Sequence, residues 1–313
     1  MKEIDTYLYT GFLDSGKTTY IQDNLFHDYF YKHGTTLILS FEEGEASYDA
    51  KALGERRCVV SYYRDSEDIT AFCLRQLKQV QPDRVIIEDN VMMENLPQQL
   101  PPQLAIRAKT ALISGATLPV YFNNMRGFFT RILRDAKLVV FNRAETKEEL
   151  AVYSTPFRLI SPLASYLWES PLGFHEKAFG IPLTFDRSRK ELNITADDYS
   201  CFYLDSLERP EDYSGKLIDI TLQIQNGPED NESYHFGSRK VFTCCMADIQ
   251  DLGFWIAEDD TFQPELYGWY HLRAQAYTAT VFHQKRIALR VIEFRKVPAA
   301  VPELIGYISP STS

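Results

Sequence analysis

The sequence predicts two folds in one chain: an α/β domain with a mostly parallel sheet, then a small OB-like β-barrel. Three observations predict this. Up to about residue 165, unbroken apolar runs alternate with helix-like stretches. A stretch of about fifty residues with little periodicity follows. From Gly215 onward, strand signals recur with turn breaks between them. Parallel strands read as continuous apolar runs because crossover helices cover both faces of the sheet. Several short strands bounded by turns are the pattern of barrels and sandwiches.

In order, the first apolar run is Tyr7 to Tyr9, followed by Gly11 and a helix-like run from Thr18 to Phe30. Strands are predicted at Thr36 to Ser40, Arg57 to Ser61, Arg84 to Glu88, Thr110 to Ser114 and Leu138 to Phe141. Ser66 to Val80 is a predicted helix with Ser66 as N-cap and Ile69, Phe72, Cys73, Leu77 and Val80 at helical spacing. Asn124 to Ala136 is another, with Met125, Phe128, Phe129 and Ile132 inward. Residues 166–214 hold Pro171, Gly173, Pro182 and Pro210 and are expected to be a connecting segment that packs irregularly. Five barrel strands are predicted in 215–313: Lys216 to Ile224, Arg239 to Met246, Gly253 to Ala257, Trp269 to Thr280 and Arg286 to Phe294. The expected domains are therefore 1–165, 166–214 and 215–313.

Composition limits the function. A hydrophobic content of 45% in 313 residues builds ordinary cores, and no apolar run is long enough to span a bilayer. The charged start, Met1 to Asp5, does not read as a signal peptide, so a cytoplasmic location is expected. A net charge of −10 argues against nucleic acid and anionic membranes as partners, since both need a positive field. Five cysteines, with only Cys244 and Cys245 close in sequence, form no disulfide framework.

The chemistry-bearing stretch is Gly11-Phe12-Leu13-Asp14-Ser15-Gly16-Lys17-Thr18-Thr19, which fits G-x-x-x-x-G-K-[ST]. Glycines there let backbone N–H groups curl around a phosphate, and the following helix adds the partial charge of its N-terminus. Gly11, Asp14, Ser15, Gly16, Lys17, Thr18 and Thr19 are the expected nucleotide contacts. Lys17 reaches the β- and γ-phosphates, and the Thr18 hydroxyl ligates Mg²⁺. Glu88 ends an apolar strand, which puts its carboxylate at the sheet edge beside this loop as a second group of the magnesium shell. Asn142-Arg143-Ala144-Glu145 follows the last apolar strand. It is similar to the guanine-reading Asn-Lys-x-Asp motif with two conservative departures, so GTP is the expected nucleotide. Glu42 and Asp49 are candidates for placing the attacking water. Cys244 and Cys245 are a weak zinc signal, because adjacent strand residues face opposite ways. Asp248, His235 and His271 are the nearby candidate partners.

Together the P-loop, Phe41-Glu42-Glu43-Gly44-Glu45 with Asp49, Ile87-Glu88 and Asn142 to Glu145 resemble the CobW-type GTPases over roughly residues 5–165. Those are P-loop GTPases linked to metal insertion and zinc homeostasis. The resemblance implies a metallochaperone-like role with a metalloprotein client. The family's Cys-x-Cys-Cys metal motif is missing: Cys58-Val59-Val60-Ser61 stands in its place. Val91 stands where the family has a glycine near the γ-phosphate, which implies slow hydrolysis or a rewired switch. Phe242 to Asp248, with Tyr267-Gly268-Trp269, resembles instead the C-terminal domain of an uncharacterised bacterial family associated with a predicted permease. Two readings stay open: a slow GTPase, or a nucleotide-gated module that docks on a membrane permease. A nucleic-acid-binding barrel is a third, opposed by the charge. Oligomeric state is not legible.

Overall fold

The computed structural model of the chain describes residues 3–26, 34–42, 44, 46–64, 67–227, 234–242, 249–259, 261–281 and 284–306. It divides into two units, Met1–Ala151 with Ala164–Phe179 and Val152–Leu163 with Gly180–Ser313.

The first unit is built on a sheet of β1 (Ile4–Thr10), β2 (Thr36–Ser40), β3 (Cys58–Tyr62), β4 (Arg84–Glu88), β5 (Leu104–Ser114), β6 (Leu138–Asn142), β7 (Ser165–Glu169) and β8 (His175–Lys177). Their order is β3-β2-β4-β1-β5-β6-β7-β8. All neighbours are parallel except β8, which runs antiparallel to β7. The helices are α1 (Lys17–Leu25), α2 (Ala50–Glu55), α3 (Ile69–Val80), α4 (Leu96–Gln99), α5 (Leu118–Asn124) and α6 (Arg126–Leu133).

Strand alternation splits this core in two. Leu8, Leu37, Leu39, Val85 and Ile87 face Phe72 and Cys73 of α3 on one side. Ile38, Ile86, Leu112 and Val140 face Ile21 and Leu25 of α1 on the other. That double burial is why these strands read as unbroken apolar runs. The predicted helix 124–136 is α6, and a short helix the pattern does not mark, α5, precedes it; Met125, whose φ of −134° leaves the helical region, separates the two. The α3 helix is capped by Asp68, which accepts from the Ala71 N–H; Ser66 lies outside the described residues.

The second unit holds α7 (Ser154–Ile160), β9 (Glu191–Ile194), α8 (Ala196–Glu208) and strands β10 (Leu217–Gln225), β11 (Tyr234–Phe242), β12 (Ile249–Ala257), β13 (Trp269–Val281), β14 (Gln284–Lys296) and β15 (Leu304–Ile305). Five of them close a barrel in the order β10-β11-β12-β14-β13, with β13 pairing back to β10. The β12–β14 pairing is parallel and the others around the barrel are antiparallel. This is the closed five-stranded barrel of the OB type that the strand pattern predicts. Its interior is filled by Ile218, Ile220, Leu222 and Ile224 of β10 with Leu252, Phe254, Ile256, Leu272, Ala274 and Leu289. Tyr199 and Phe202 of α8 pack into the same cluster.

The stretch 166–214, expected to be irregular, thus carries most of β7, all of β8 and β9, and α8. No helix among the described residues is long and apolar enough to cross a membrane.

Candidate functional site

Register places the site. In the β1–β4 pair, Tyr9 lies opposite Glu88, so the loop leaving β1 and the carboxylate ending β4 emerge together at one sheet edge. Open α/β sheets bind ligands at that carboxyl edge.

The loop 11–16 is held by three constraints. Gly11 has φ of 151°, and a Cβ there would sit 2.2 Å from the Leu112 carbonyl oxygen. Gly16 is in the left-handed region at φ 80° immediately before α1, a conformation that favours glycine. Phe12 is buried against Tyr121 and Phe129, with ring centroids 4.5 and 5.5 Å away, and anchors the loop on α5 and α6. The Ser15 hydroxyl and one oxygen of Asp14 are buried without a hydrogen-bond partner. Unpartnered buried polar atoms are uncommon, and in a loop of this kind they are open to a ligand.

Lys17 is 1% exposed. Its ammonium donates to the carbonyls of Gly11 at 2.9 Å and Phe12 at 2.7 Å, and pairs with Glu42 at 2.6 Å. Burial outweighs the attraction of Lys17 and holds the Glu42 carboxyl above its usual range. The Thr18 hydroxyl donates to Glu88 at 2.6 Å. The other Glu88 oxygen accepts from Ser40 at 2.7 Å and Tyr48 at 3.1 Å. Beside it, Asp89 accepts from Thr10 at 2.6 Å, and burial raises its pKa. Asp49 is placed differently. Its carboxylate caps α2 by accepting from the Lys51 and Ala52 N–H groups, and its own N–H donates to Gln22 on α1. Val91 is buried.

Asn142 and Arg143, expected from the sequence to read the base, come to the same loop. The Asn142 amide donates to the Ser15 carbonyl at 2.8 Å, and Arg143 donates to the Asp14 carbonyl at 2.5 Å. Gly115 lets the Ala144 backbone approach, since a Cβ there would meet the Ala144 Cβ at 2.5 Å. Trp168 on β7 donates to the Ala144 carbonyl at 3.2 Å. Asn142, Arg143 and Glu145 line a cavity of about 670 Å³ with Gly16, Thr19 and Tyr20. That volume suits a small-molecule ligand.

The sequence reading missed several residues here. Ser40 and Asp89 carry a signal, because each is a polar residue at the carboxyl edge of a sheet strand. Glu169, Ser170 and His175 line the cavity from β7, β8 and their connection. No periodicity marks that stretch. Tyr48 carries no sequence signal.

The zinc candidates fare differently. Cys244, Cys245 and Asp248 lie outside the described residues. His271 is 3.1 Å from the Thr221 hydroxyl, and the His235 ring lies edge-on to Phe262 at 6.0 Å. No group of three or more His, Cys, Asp or Glu residues able to hold a metal occurs among the described residues. Cys58, Cys73 and Cys201 are buried free thiols, and burial pushes Cys73 up to about 12 and Cys201 up to about 11.

No curated protein matches the chain. The solved structures it matches include the hydrogenase maturation factor HypB from Archaeoglobus fulgidus, at 16% identity and a TM-score of 0.38, covering 54% of this chain and 81% of that one. That likeness is too distant to bear on function. Residues 183–304 match the family model described as the DUF1980 C-terminal domain. The match spans β9 through β15, the barrel and the strands that flank it, and agrees with the second-half resemblance to an uncharacterised bacterial family.

Proposed function

We propose that the chain is a guanine-nucleotide-binding protein with slow, Mg²⁺-dependent GTPase activity. The observation that carries this reading is the convergence on one loop of Lys17, the Thr18–Glu88 pair and the Asn142–Glu145 turn. The buried Ser15 hydroxyl without a partner supports a phosphate in the loop. In this reading Lys17 and the N–H groups of the loop hold the β- and γ-phosphates, while Arg143 and Glu145 present a stem and a carboxylate to the base.

The oxygen donors of Thr18 and Glu88 fit a hard cation such as Mg²⁺. When bound, that ion supplies charge stabilisation to the phosphates. Glu88 is further oriented by Ser40 and Tyr48, and such second-layer hydrogen bonds fix a ligand's direction. The work to which this GTPase contributes is metal homeostasis or metallochaperone-like assembly with a metalloprotein client. That part rests on the CobW-type resemblance of the motifs. Zinc would have to be held by Cys244 and Cys245.

A second reading is favoured by one observation. Val91, in place of the family's glycine, is buried beside the strand-end acids. On this reading nucleotide binding, with little hydrolysis, controls docking of the second unit on a membrane permease.

Titration with GTP and ATP in the presence of Mg²⁺ tests the proposal. The expected result is GTP binding that Lys17→Ala removes. Binding of neither nucleotide sinks it. Single-turnover hydrolysis then separates the two readings, since a rate well above background without a partner excludes the second.

A further inference from the structure

We infer that Glu42 is an internal occupant of the phosphate site, a carboxylate that holds Lys17 until a nucleotide displaces it. The inference rests on the nucleotide reading above and concerns its regulation.

An ammonium has three donors and no acceptor. In Lys17 all three are in use: two on the Gly11 and Phe12 carbonyls and one on Glu42. The pair is enclosed, with side-chain exposures of 1% for Lys17 and 8% for Glu42. No donor is left over for a phosphate oxygen. A phosphate that uses Lys17 must take the place of the Glu42 carboxylate, its nearest anion.

Energy favours the exchange. A buried carboxylate is weakly solvated, and burial already works against its charge here. A phosphate offers Lys17 the same charge-assisted contact and also engages the loop N–H groups, which Glu42 does not reach. The ligand therefore exchanges one anion for a better-coordinated one, and Glu42 is released to solvent.

Displacement also links this contact to the magnesium side. Glu42 follows Ser40 by two residues, and both Ser40 and Tyr48 donate to Glu88, which accepts from Thr18. The backbone carbonyl of Glu88 accepts from the Phe41 N–H at 2.9 Å. Movement of Glu42 therefore pulls on the residues that orient Glu88. A nucleotide and any partner that reads Glu42 are then coupled through one contact, and each changes the other's affinity by the same factor.

Because a nucleotide must break the Lys17–Glu42 contact, its apparent dissociation constant is the intrinsic one divided by the fraction of molecules in which Lys17 is free. Removing the Glu42 charge lifts this penalty. The test is stopped-flow and equilibrium binding of a fluorescent GDP analogue to the full chain. Glu42→Gln keeps the shape and removes the charge. Its affinity is expected to rise on the order of tenfold over wild type. In wild type the observed association rate should level off at high nucleotide, limited by Lys17 release, while in Glu42→Gln it rises linearly.

Equal affinities overturn the inference and leave the nucleotide site standing. So does a linear association rate in wild type, an arm that needs no variant to fold. Failure of both proteins to bind the analogue overturns the nucleotide reading and the inference with it.

Discussion

The two units bury polar groups in opposite ways. In the first, Lys17, Glu42, Glu88 and Asp89 are all enclosed at one sheet edge, and each is held by another side chain or a nearby carbonyl. In the second, the barrel interior is aliphatic and aromatic, and its buried charges serve the shape. Asp205 accepts from Arg187 and from the Tyr213 hydroxyl at 2.6 Å, joining α8 to the residues before β10. A parallel sheet ends all its strands at a common edge, so polar strand-end residues gather there. A closed barrel has no such edge, and its alternating strands send apolar residues inward. On the nucleotide reading proposed above, exchangeable contacts belong to the first unit and permanent ones to the second.

The largest expected effect tests the permanent side. Phe202 on α8 is fully buried against Tyr213 and Phe254, with centroids 5.2 and 5.1 Å away. Phe202→Ala should destabilise the second unit by about 3–5 kcal/mol, the usual cost of emptying an aromatic core position. Chemical denaturation followed by barrel tryptophan fluorescence measures it, and a loss under about 1 kcal/mol would mean that the helix is not part of the barrel core. Next comes the exchangeable side. Lys17→Ala should weaken GDP binding by roughly 100-fold or more, as loss of a buried charge contact does. The barrel's unfolding should be unchanged, and a shift there would break the division between the units. Third, Glu145→Ala should reduce the preference for GTP over ATP by roughly 10- to 100-fold, the discrimination of one bidentate base contact. Competition binding reads this directly, and an unchanged preference removes Glu145 as the base reader.

What the sequence reveals follows the same division. The P-loop and the strand-end Glu88 are legible because a short motif and an apolar run each fix local geometry. The strand β10 is legible because Ile218, Ile220, Leu222 and Ile224 alternate with half-exposed residues. The helix α8 is hidden because it is buried on several sides. Ser200, Cys201, Asp205 and Ser206 are buried along with Tyr199, Phe202 and Leu204, so no single apolar stripe marks it. The strand β8 is three exposed residues, which pattern cannot identify. The Lys17–Glu42 pair joins residues far apart in sequence, and no periodicity encodes it. Asp49 looks like Glu42 in sequence, yet its place one residue before α2 makes it a helix cap.

The smallest expected effect is the sharpest test of the comparison. Arg239 points into the second unit at 4% exposure. Its guanidinium donates to the Pro302 carbonyl and lies 5.2 Å over the Trp269 ring and 6.0 Å from the Tyr199 ring, while its Nε has no hydrogen-bond partner. Burial lowers its pKa. A charge enclosed this way loses hydration that one carbonyl and two ring faces replace only in part. If its role is packing, an apolar side chain of similar length should serve as well. Arg239→Met is therefore expected to lie within about 1 kcal/mol of wild type, whereas Arg239→Ala, which also empties the space between the rings, should lose about 2–4 kcal/mol. Equal losses for Met and Ala would mean that the hydrogen bond to the Pro302 carbonyl matters more than the packing. The barrel would then hold a polar contact as specific as those at the P-loop, and the contrast between the two units would fail at this residue.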